Sequence, residues 1–313
     1  MNNIQKRLQG CVVSAIPVSL KTSFWLLKIM LPISLGVRFL DYLGALEYLS
    51  AYLHPLFQLI GLPGHLAIVF VTSVFVPPYA AIAVMSSLSM TVREATLLSA
   101  MCLIAHNLLV ECAVTKKTGS SFTGMFLLRI IMAFAIAYVL NFILAPDQTP
   151  FILSEEIIQY SSFWQVVKHW AYSSLSLTLM LISILTLLMI LQRVLIEFKL
   201  MAKITKPLAP LMLFLGLPKH SSILWIVGNV IGLAYGGAIM IDMLEKGEVT
   251  KQESNLMNYH FAMSHSLLED SILFATIGVY ILPIMIVRLI FAFIVVWIKR
   301  LSMWILKDPI YQN

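Results

Sequence analysis

The order of apolar and polar positions divides the chain into long uncharged stretches, clearest at about 24–45, 96–115, 123–145, 172–197, 254–276 and 279–298. A helix needs roughly 20 mostly apolar residues to cross a bilayer, so each stretch predicts a spanning helix. The stretches are continuously apolar instead of alternating, which favours helices over a barrel, and a helix satisfies its own backbone polar groups in lipid. Two of them carry polar residues in their middle. "LIAHNLLVEC" at 103–112 holds a histidine, an asparagine and a glutamate, and "AMSHSLLEDS" at 262–271 repeats the histidine, the two leucines and an acid.

The recurrence extends well beyond these two segments. "PLFQLIGLPGH" from Pro55 matches "PLMLFLGLPKH" from Pro210 at six of 11 positions, with Gly61 on Gly216, Pro63 on Pro218 and His65 on His220 at an offset of 155. After a four-residue insertion around "EKGE" the offset becomes 159 and pairs Glu94 with Glu253, His106 with His265, Glu111 with Asp270, Gly119 with Gly278 and Arg129 with Arg288. A fixed-period self-similarity of this kind predicts a duplicated architecture. The expected organisation is an N-terminal interfacial segment at 1–21, a first repeat at 22–145, an acidic external linker at 146–165, a second repeat at 166–301 and a C-terminal tail at 302–313.

Each half reads as a span, a short apolar helix ending at Gly-Leu-Pro, an interrupted segment, a polar-studded helix and a final span. The interruptions are visible as Pro77 and Pro78 in "VFVPPYAAIAV" and as Gly232, Gly236 and Gly237 in "VIGLAYGGAIM". Proline removes a backbone donor and glycine loosens a helix, so a break is expected in both. Lysine and arginine collect at Lys6, Arg7 and Lys21, at Lys116 and Lys117, at Lys199, Lys203 and Lys206, and at Lys299 and Arg300. Placing all of them on the cytoplasmic side requires three full spans per half, with the interrupted segments as re-entrant hairpins. Three is odd, so the halves would be inverted. If the interrupted segments cross fully instead, Lys116 and Lys117 fall outside. The expected fold class is thus an all-α polytopic membrane protein of two inverted homologous repeats, each with three spans and a re-entrant or broken-helix element.

Composition agrees with that solvent: 60% of the 313 residues are hydrophobic, 12% are charged, and the mean hydropathy is +0.91. Such a chain is an integral membrane protein. The net charge of +6 is what cytoplasmic lysines and arginines produce and carries no nucleic-acid signature. The basic start of "MNNIQKRLQGCVVSAIPVSLK" resembles a signal peptide without a convincing cleavage site, and reads as an uncleaved interfacial or leading helix. Cys11, Cys102 and Cys112 have no paired spacing, which argues against a disulfide framework. The 17 methionines are scattered at helical spacing and read as core or lipid-facing filling.

Ionisable side chains inside a span cost about 2.5–3.5 kcal/mol each at the helix centre, so retaining several argues for pairing or for a pathway. On continuous helices, Asn107 with Glu111, Ser266 with Asp270, and His265 with Glu269 stand four residues apart on one face. Together with His106, and with Tyr79, Asn229 and Tyr235 beside the two interruptions, they form the expected site for a substrate or an ion. Thr72, Ser73 and Asp242 are further candidates for cavity lining. The competing reading is interhelical hydrogen bonding that only holds the halves together. Glu94 and Glu253 start their helices and complement the N-terminal dipole. Arg129 and Arg288 either reach an anionic substrate or snorkel to the interface, the second being favoured. His65 and His220 mark interfacial turns. Cys102, His106 and Glu111 offer donors to a divalent metal, although Cys102 aligns with Phe261 and a symmetric site would not lose its thiolate.

The Gly-Leu-Pro-Gly at 61–64, the proline-interrupted segment at 75–80, "REATLLSAMCLIAHNLLVE" at 93–111, Gly119 and Arg129 together resemble the nucleoside-recognition or Gate domain. The resemblance covers about residues 24–145 and, more weakly, 172–300. That domain occurs in the membrane part of the ferrous iron transporter B, in spore maturation proteins and in small membrane proteins. It implies a bacterial inner-membrane protein, and the lysine and arginine clusters near both ends place the termini on the cytoplasmic side. The chain has no GxxxxGK[ST] motif and no room for a GTPase domain. The expected function is a secondary transporter or permease for a small polar solute, nucleoside-like or anionic. A divalent-metal permease is one alternative, and a non-transporting assembly or partner-binding protein, as part of a homo-oligomer or with another membrane protein, is a second. An intramembrane enzyme ranks last, because HExxH and a recognisable Ser/His/Asp set are absent. No cofactor is expected. With proton coupling, His106, His265, Glu111 and Asp270 would be the titrating groups.

Overall fold

The apolar stretches fold as helices and the polar punctuation falls between them. The computed structural model describes residues 3–151, 162–198, 200–218, 221–230 and 232–305. The first half contains α1 (Asn3–Tyr42), α2 (Ala45–Gln58), a 3-10 turn (Gly64–Leu66), α3 (Ala67–Phe75), α4 (Pro78–Met85), α5 (Val92–Ala105), α6 (Leu108–Lys117) and α7 (Phe122–Ile143). The second contains α8 (Phe163–Glu197), α9 (Leu200–Phe214), α10 (Ser222–Val230), α11 (Leu233–Glu245), α12 (Lys251–Ser264), α13 (Glu269–Ala275) and α14 (Ile281–Ile305). Ile4–Leu40, Val92–Lys117, Phe122–Ile143, Phe163–Glu197 and Ile281–Ile305 are long and apolar enough to cross a membrane. The chain is an all-α polytopic membrane protein.

The longest helices, α1 and α8, pack together and run antiparallel. Arg7 pairs with Glu197 at 2.8 Å, Ser19 with Thr186 at 2.9 Å, and Trp170 donates to the Ser34 hydroxyl at 2.9 Å. The sequence explains the contact. Cys11, Ala15, Ser19, Ser23, Leu26, Met30, Ser34 and Val37 recur every three or four residues and are all buried, while Leu177, Leu181, Leu185 and Leu188 answer from α8. Small residues in this stripe allow close approach. Phe24, Trp25, Leu175 and Leu179 are exposed on the outer faces, as lipid-facing side chains would be. At 1.5 Å per residue, α1 is roughly 60 Å long and exceeds the ~30 Å hydrocarbon core. It passes through Lys21 without interruption, so the leading segment and the first span are one helix instead of the two elements expected.

The main departure from expectation lies in the polar-studded helices, which are broken where they were read as continuous. His106 is extended (φ −81°, ψ 154°) and Asn107 left-handed (φ 47°) between α5 and α6. His265 (φ −56°, ψ 153°) and Ser266 (φ 50°) repeat this between α12 and α13. Neither site contains proline or glycine. The breaks persist because each meets the break of a neighbouring segment: the Asn107 amide donates to the carbonyls of Ser73 and Val76, and the Ser266 and Leu268 amides donate to those of Gly228 and Asn229. Those partners flank the interruptions at Val76–Pro77 and at Gly232 (φ 108°), which do fall where proline and glycine placed them.

Two polar layers fix the ends of the bundle. At one end Ser254 donates to the Thr118 carbonyl at 2.6 Å, Asn258 donates to the Ser120 and Thr118 hydroxyls at 2.9 Å, and Ser120 donates to Asn255 at 2.6 Å. At the other, Tyr280 donates to Asp147 through its hydroxyl at 2.5 Å and to Thr96 through its amide at 3.1 Å. Between the second layer and His106, the α5 residues Leu97, Leu98, Met101, Leu103 and Ile104 are fully buried. Half of the expected linker at 146–165, residues 152–161, lies outside the described residues, as do His220 and the tail from 306 onward.

Candidate functional site

A broken helix leaves carbonyls without intrahelical donors, and in a membrane interior those groups need partners. Arg129 on α7 supplies them for the first break, donating from Nε to the Ile104 carbonyl at 2.6 Å and from Nη2 to the His106 carbonyl at 3.2 Å. Arg288 on α14 does the same for the second, reaching the Met263 and His265 carbonyls at 2.8 Å each. The guanidinium suits this work because its donors are fixed in a planar fork. Both arginines are buried, so neither snorkels to the interface, and neither lines the large cavity between α1 and α8. The reading that they reach a substrate or the membrane surface is thereby corrected.

With the backbone held, the side chains at the two breaks meet. Glu111, one turn into α6, is ion-paired with Arg129 Nη1 at 2.5 Å and lies 3.1 Å from His106 Nε2 and 3.3 Å from His265 Nε2. His106 and His265 approach each other at 3.4 Å between their Nε2 atoms. Asp270, the counterpart of Glu111, stands 3.9 Å from His106 Nε2, and its Oδ2 is buried without a hydrogen-bond partner. Aspartate is one methylene shorter than glutamate, and Arg288 Nη1 is likewise left without a partner. The two halves are therefore chemically asymmetric where their sequences differ.

The residues expected for the site distribute as follows. His106, Glu111, His265 and Asp270 converge at the crossing of the breaks, with Asn107 and Ser266 supplying its left-handed corners. Tyr79, Asn107, Ser266 and Glu269 line the adjoining cavity. Asn229 is buried behind it and donates to the Trp225 carbonyl at 2.9 Å. The backbone of Tyr235 lies in α11, and its side chain is outside the described residues. The four-residue pairing of His265 with Glu269 does not share a helical face, because the break separates them. Cys102 is buried on α5 and its carbonyl accepts from His106 Nδ1 at 3.0 Å, while the donors that converge within 4.8 Å are His106, His265 and Asp270. Asp242 is exposed and pairs with Lys246 at 2.6 Å, away from the cavity. Thr72 lines a groove with Pro32 and Phe163 instead. Glu94 and Glu253 close capping boxes with Thr91 and Thr250, as helix-start glutamates do.

The cavity measures about 810 Å³ and runs between α1 and α8 to the crossing. Arg7, Arg193 and Glu197 line it at one end, Ser14 and Val18 along its wall, and His106, Glu111, Glu269 and Asp270 at its floor. Gln192 approaches Glu269 at 3.5 Å. The mouth residues were missed in the sequence, although Gln192 and Arg193 are polar interruptions of an otherwise apolar span. On the other side of His265 a void of about 10 Å³ is lined by Arg129, Thr115 and Phe261, too small to continue the passage.

Fold and site together define a multi-pass membrane protein built around a buried charged centre at crossing helix breaks. Residues 23–122 match the Gate family model, described as nucleoside recognition. Across both halves the chain is 28% identical over 280 residues, 88% of its own length and 89% of the relative's, to the Uncharacterized membrane protein YvoD of Bacillus subtilis (strain 168). No solved structure matches the chain.

Proposed function

We propose that the protein is a permease of the bacterial cytoplasmic membrane, in which a small polar solute or ion reaches the charged centre through the cavity between α1 and α8. The observation that carries this reading is the convergence of four helix breaks on titratable side chains at the floor of a cavity of about 810 Å³. Broken helices aimed at a midplane site are the recurrent architecture of secondary transporters. The match to a nucleoside-recognition domain supports a solute-handling role without naming the solute.

The antiparallel run of α1 and α8 bears on topology. If each is the first helix of its half, an even number of crossings lies between them and an odd number makes up the half, which favours three spans per half with re-entrant α3–α4 and α10–α11 over full crossing of those segments. Lys6 and Arg7 then share a side with Lys116, Lys117, Lys251, Lys299 and Arg300, and the positive-inside rule makes that side cytoplasmic. Both termini and the cavity mouth lie there. The floor carries the carboxyls of Glu111, Glu269 and Asp270, while Arg129, which pairs with Glu111, and Arg288 lie behind it on backbone carbonyls, so the lining favours a cation or a neutral polar solute over an anion.

A thermal-shift screen on detergent-purified protein tests the reading, using nucleosides, phosphorylated solutes, amines and divalent metals. A ligand at 100 times its dissociation constant stabilises the native state by about 2.7 kcal/mol, which is measurable. Stabilisation by one class, lost in a His106→Ala, His265→Ala double variant, is the expected outcome. Stabilisation by none would favour an assembly protein whose polar centre only ties the halves together.

A further inference from the structure

We infer that the crossing of the breaks is a binding site for one divalent transition-metal ion, held by His106 Nε2, His265 Nε2 and Asp270, with Glu111 beside it as a charge partner. The inference deepens the permease reading by naming the class of ion at its floor.

The first argument is the histidine tautomer. His106 Nδ1 lies 3.0 Å from the Cys102 carbonyl and His265 Nδ1 lies 2.6 Å from the Phe261 carbonyl. A carbonyl only accepts, so both Nδ1 atoms carry the proton. In the neutral rings both Nε2 atoms therefore present lone pairs, and these point at each other across 3.4 Å and at the Glu111 carboxylate across 3.1 and 3.3 Å. Acceptors facing acceptors in a buried place require a positive centre between them. Anchoring Nδ1–H on a carbonyl while Nε2 points inward is also how metal-ligating histidines are oriented.

The second argument is dimensional. Bonds of 2.0–2.2 Å in a tetrahedral site set ligand atoms roughly 3.3–3.6 Å apart. Here the two Nε2 atoms stand 3.4 Å apart and Asp270 Oδ2 lies 3.9 Å from His106 Nε2, with all three donors inside 4.8 Å of one another. The third is Asp270, which is only 6% exposed, lines the cavity floor, and has an Oδ2 without a hydrogen-bond partner. A buried carboxylate oxygen left open at the end of a cavity is costly unless a ligand completes it. The lining points the same way: three carboxyl groups, Glu111, Glu269 and Asp270, stand at the floor, while Arg288 donates to carbonyls and Arg129 is shared between carbonyls and Glu111. Two imidazoles and carboxylate oxygens, with no thiolate, suit zinc(II) or cobalt(II) and not copper(I).

The test is a cobalt(II) titration of the chelator-stripped, full-length protein in detergent at neutral pH, read by visible absorption and by displacement with zinc(II). One ion per chain is expected. Asp270→Asn, nearly isosteric and checked for cooperative melting, should weaken binding at least about tenfold, since even outer-shell losses cost 10–100-fold. His265→Ala should abolish the absorption band, and His54→Ala, at an exposed histidine on α2, should leave it unchanged. Absence of saturable binding, or binding indifferent to Asp270→Asn and His265→Ala, overturns the inference and assigns the positive centre to protons. Flux of an organic solute without metal binding also overturns it while sparing the permease reading; tight metal binding in a protein that moves no solute or ion does the reverse.

Discussion

At the scale of single residues, the two buried arginines carry most of what keeps the centre intact, and they are not equivalent. Arg129 satisfies two carbonyls and also neutralises Glu111, whereas Arg288 satisfies two carbonyls and leaves an amino group open. Breaking a buried pair strands a charge at a cost of about 3–5 kcal/mol, while an unsatisfied buried carbonyl costs about 1–3 kcal/mol. Arg129→Met should therefore lower the melting midpoint in detergent more than Arg288→Met, and an equal or reversed order would contradict the pairing described. At the corner of the first break, Asn107→Gly should be nearly silent, because glycine accepts φ 47° freely, and Asn107→Val should be destabilising. The sequence announced which residues are polar in the wrong solvent, and the 159-residue offset announced that they come in pairs. It did not announce the arginines' role, since that depends on carbonyls 23 and 25 residues away that only a broken helix leaves open.

At the scale of elements, the breaks at proline and glycine were legible and the breaks at His106 and His265 were not. Proline and glycine act locally, whereas Asn107 and Ser266 hold left-handed geometry because neighbouring chain ends accept their amides. Helical spacing alone could not distinguish a continuous helix from two collinear pieces. Close approach of α10 to α12 gives a direct check, because a Cβ on Gly228 would lie 2.4 Å from the Phe261 ring. Gly228→Ala should cost about 1–3 kcal/mol by overpacking, and Phe261→Leu in the same chain should recover part of the lost melting temperature. On the opposite end, hydrogen bonds from Thr149 and Tyr280 hold the Asp147 carboxyl below its usual range. A depressed carboxylate stabilises the fold above its ordinary pKa and loses that contribution as pH falls through the folded value. Tyr280→Phe should thus shift the melting temperature slightly at neutral pH and not at all in strong acid. The effect is small because the pair is exposed.

At the scale of the whole molecule, the inner halves of both repeats share one centre, and the only wide approach to it among the described residues runs beside α1 and α8. The opposite approach is filled by apolar α5 side chains. A permease must exchange those conditions, and a structural core need not. The duplicated sequence made two related halves legible, but the cavity arises from how the long helices lean on the breaks, which no local pattern encodes. The decisive measurement is cysteine alkylation from each side of the membrane, in a background lacking Cys11, Cys102 and Cys112. Ser14→Cys reports on the cavity wall and Ser99→Cys on the filled side, where Ser99 is fully buried on α5. The account predicts that an impermeant thiol reagent modifies Ser14→Cys only from the cytoplasmic side and modifies Ser99→Cys slowly, only from the outside. Reaction at Ser14→Cys with none at Ser99→Cys from either side would contradict it, leaving a dead-end cavity over a fixed polar core.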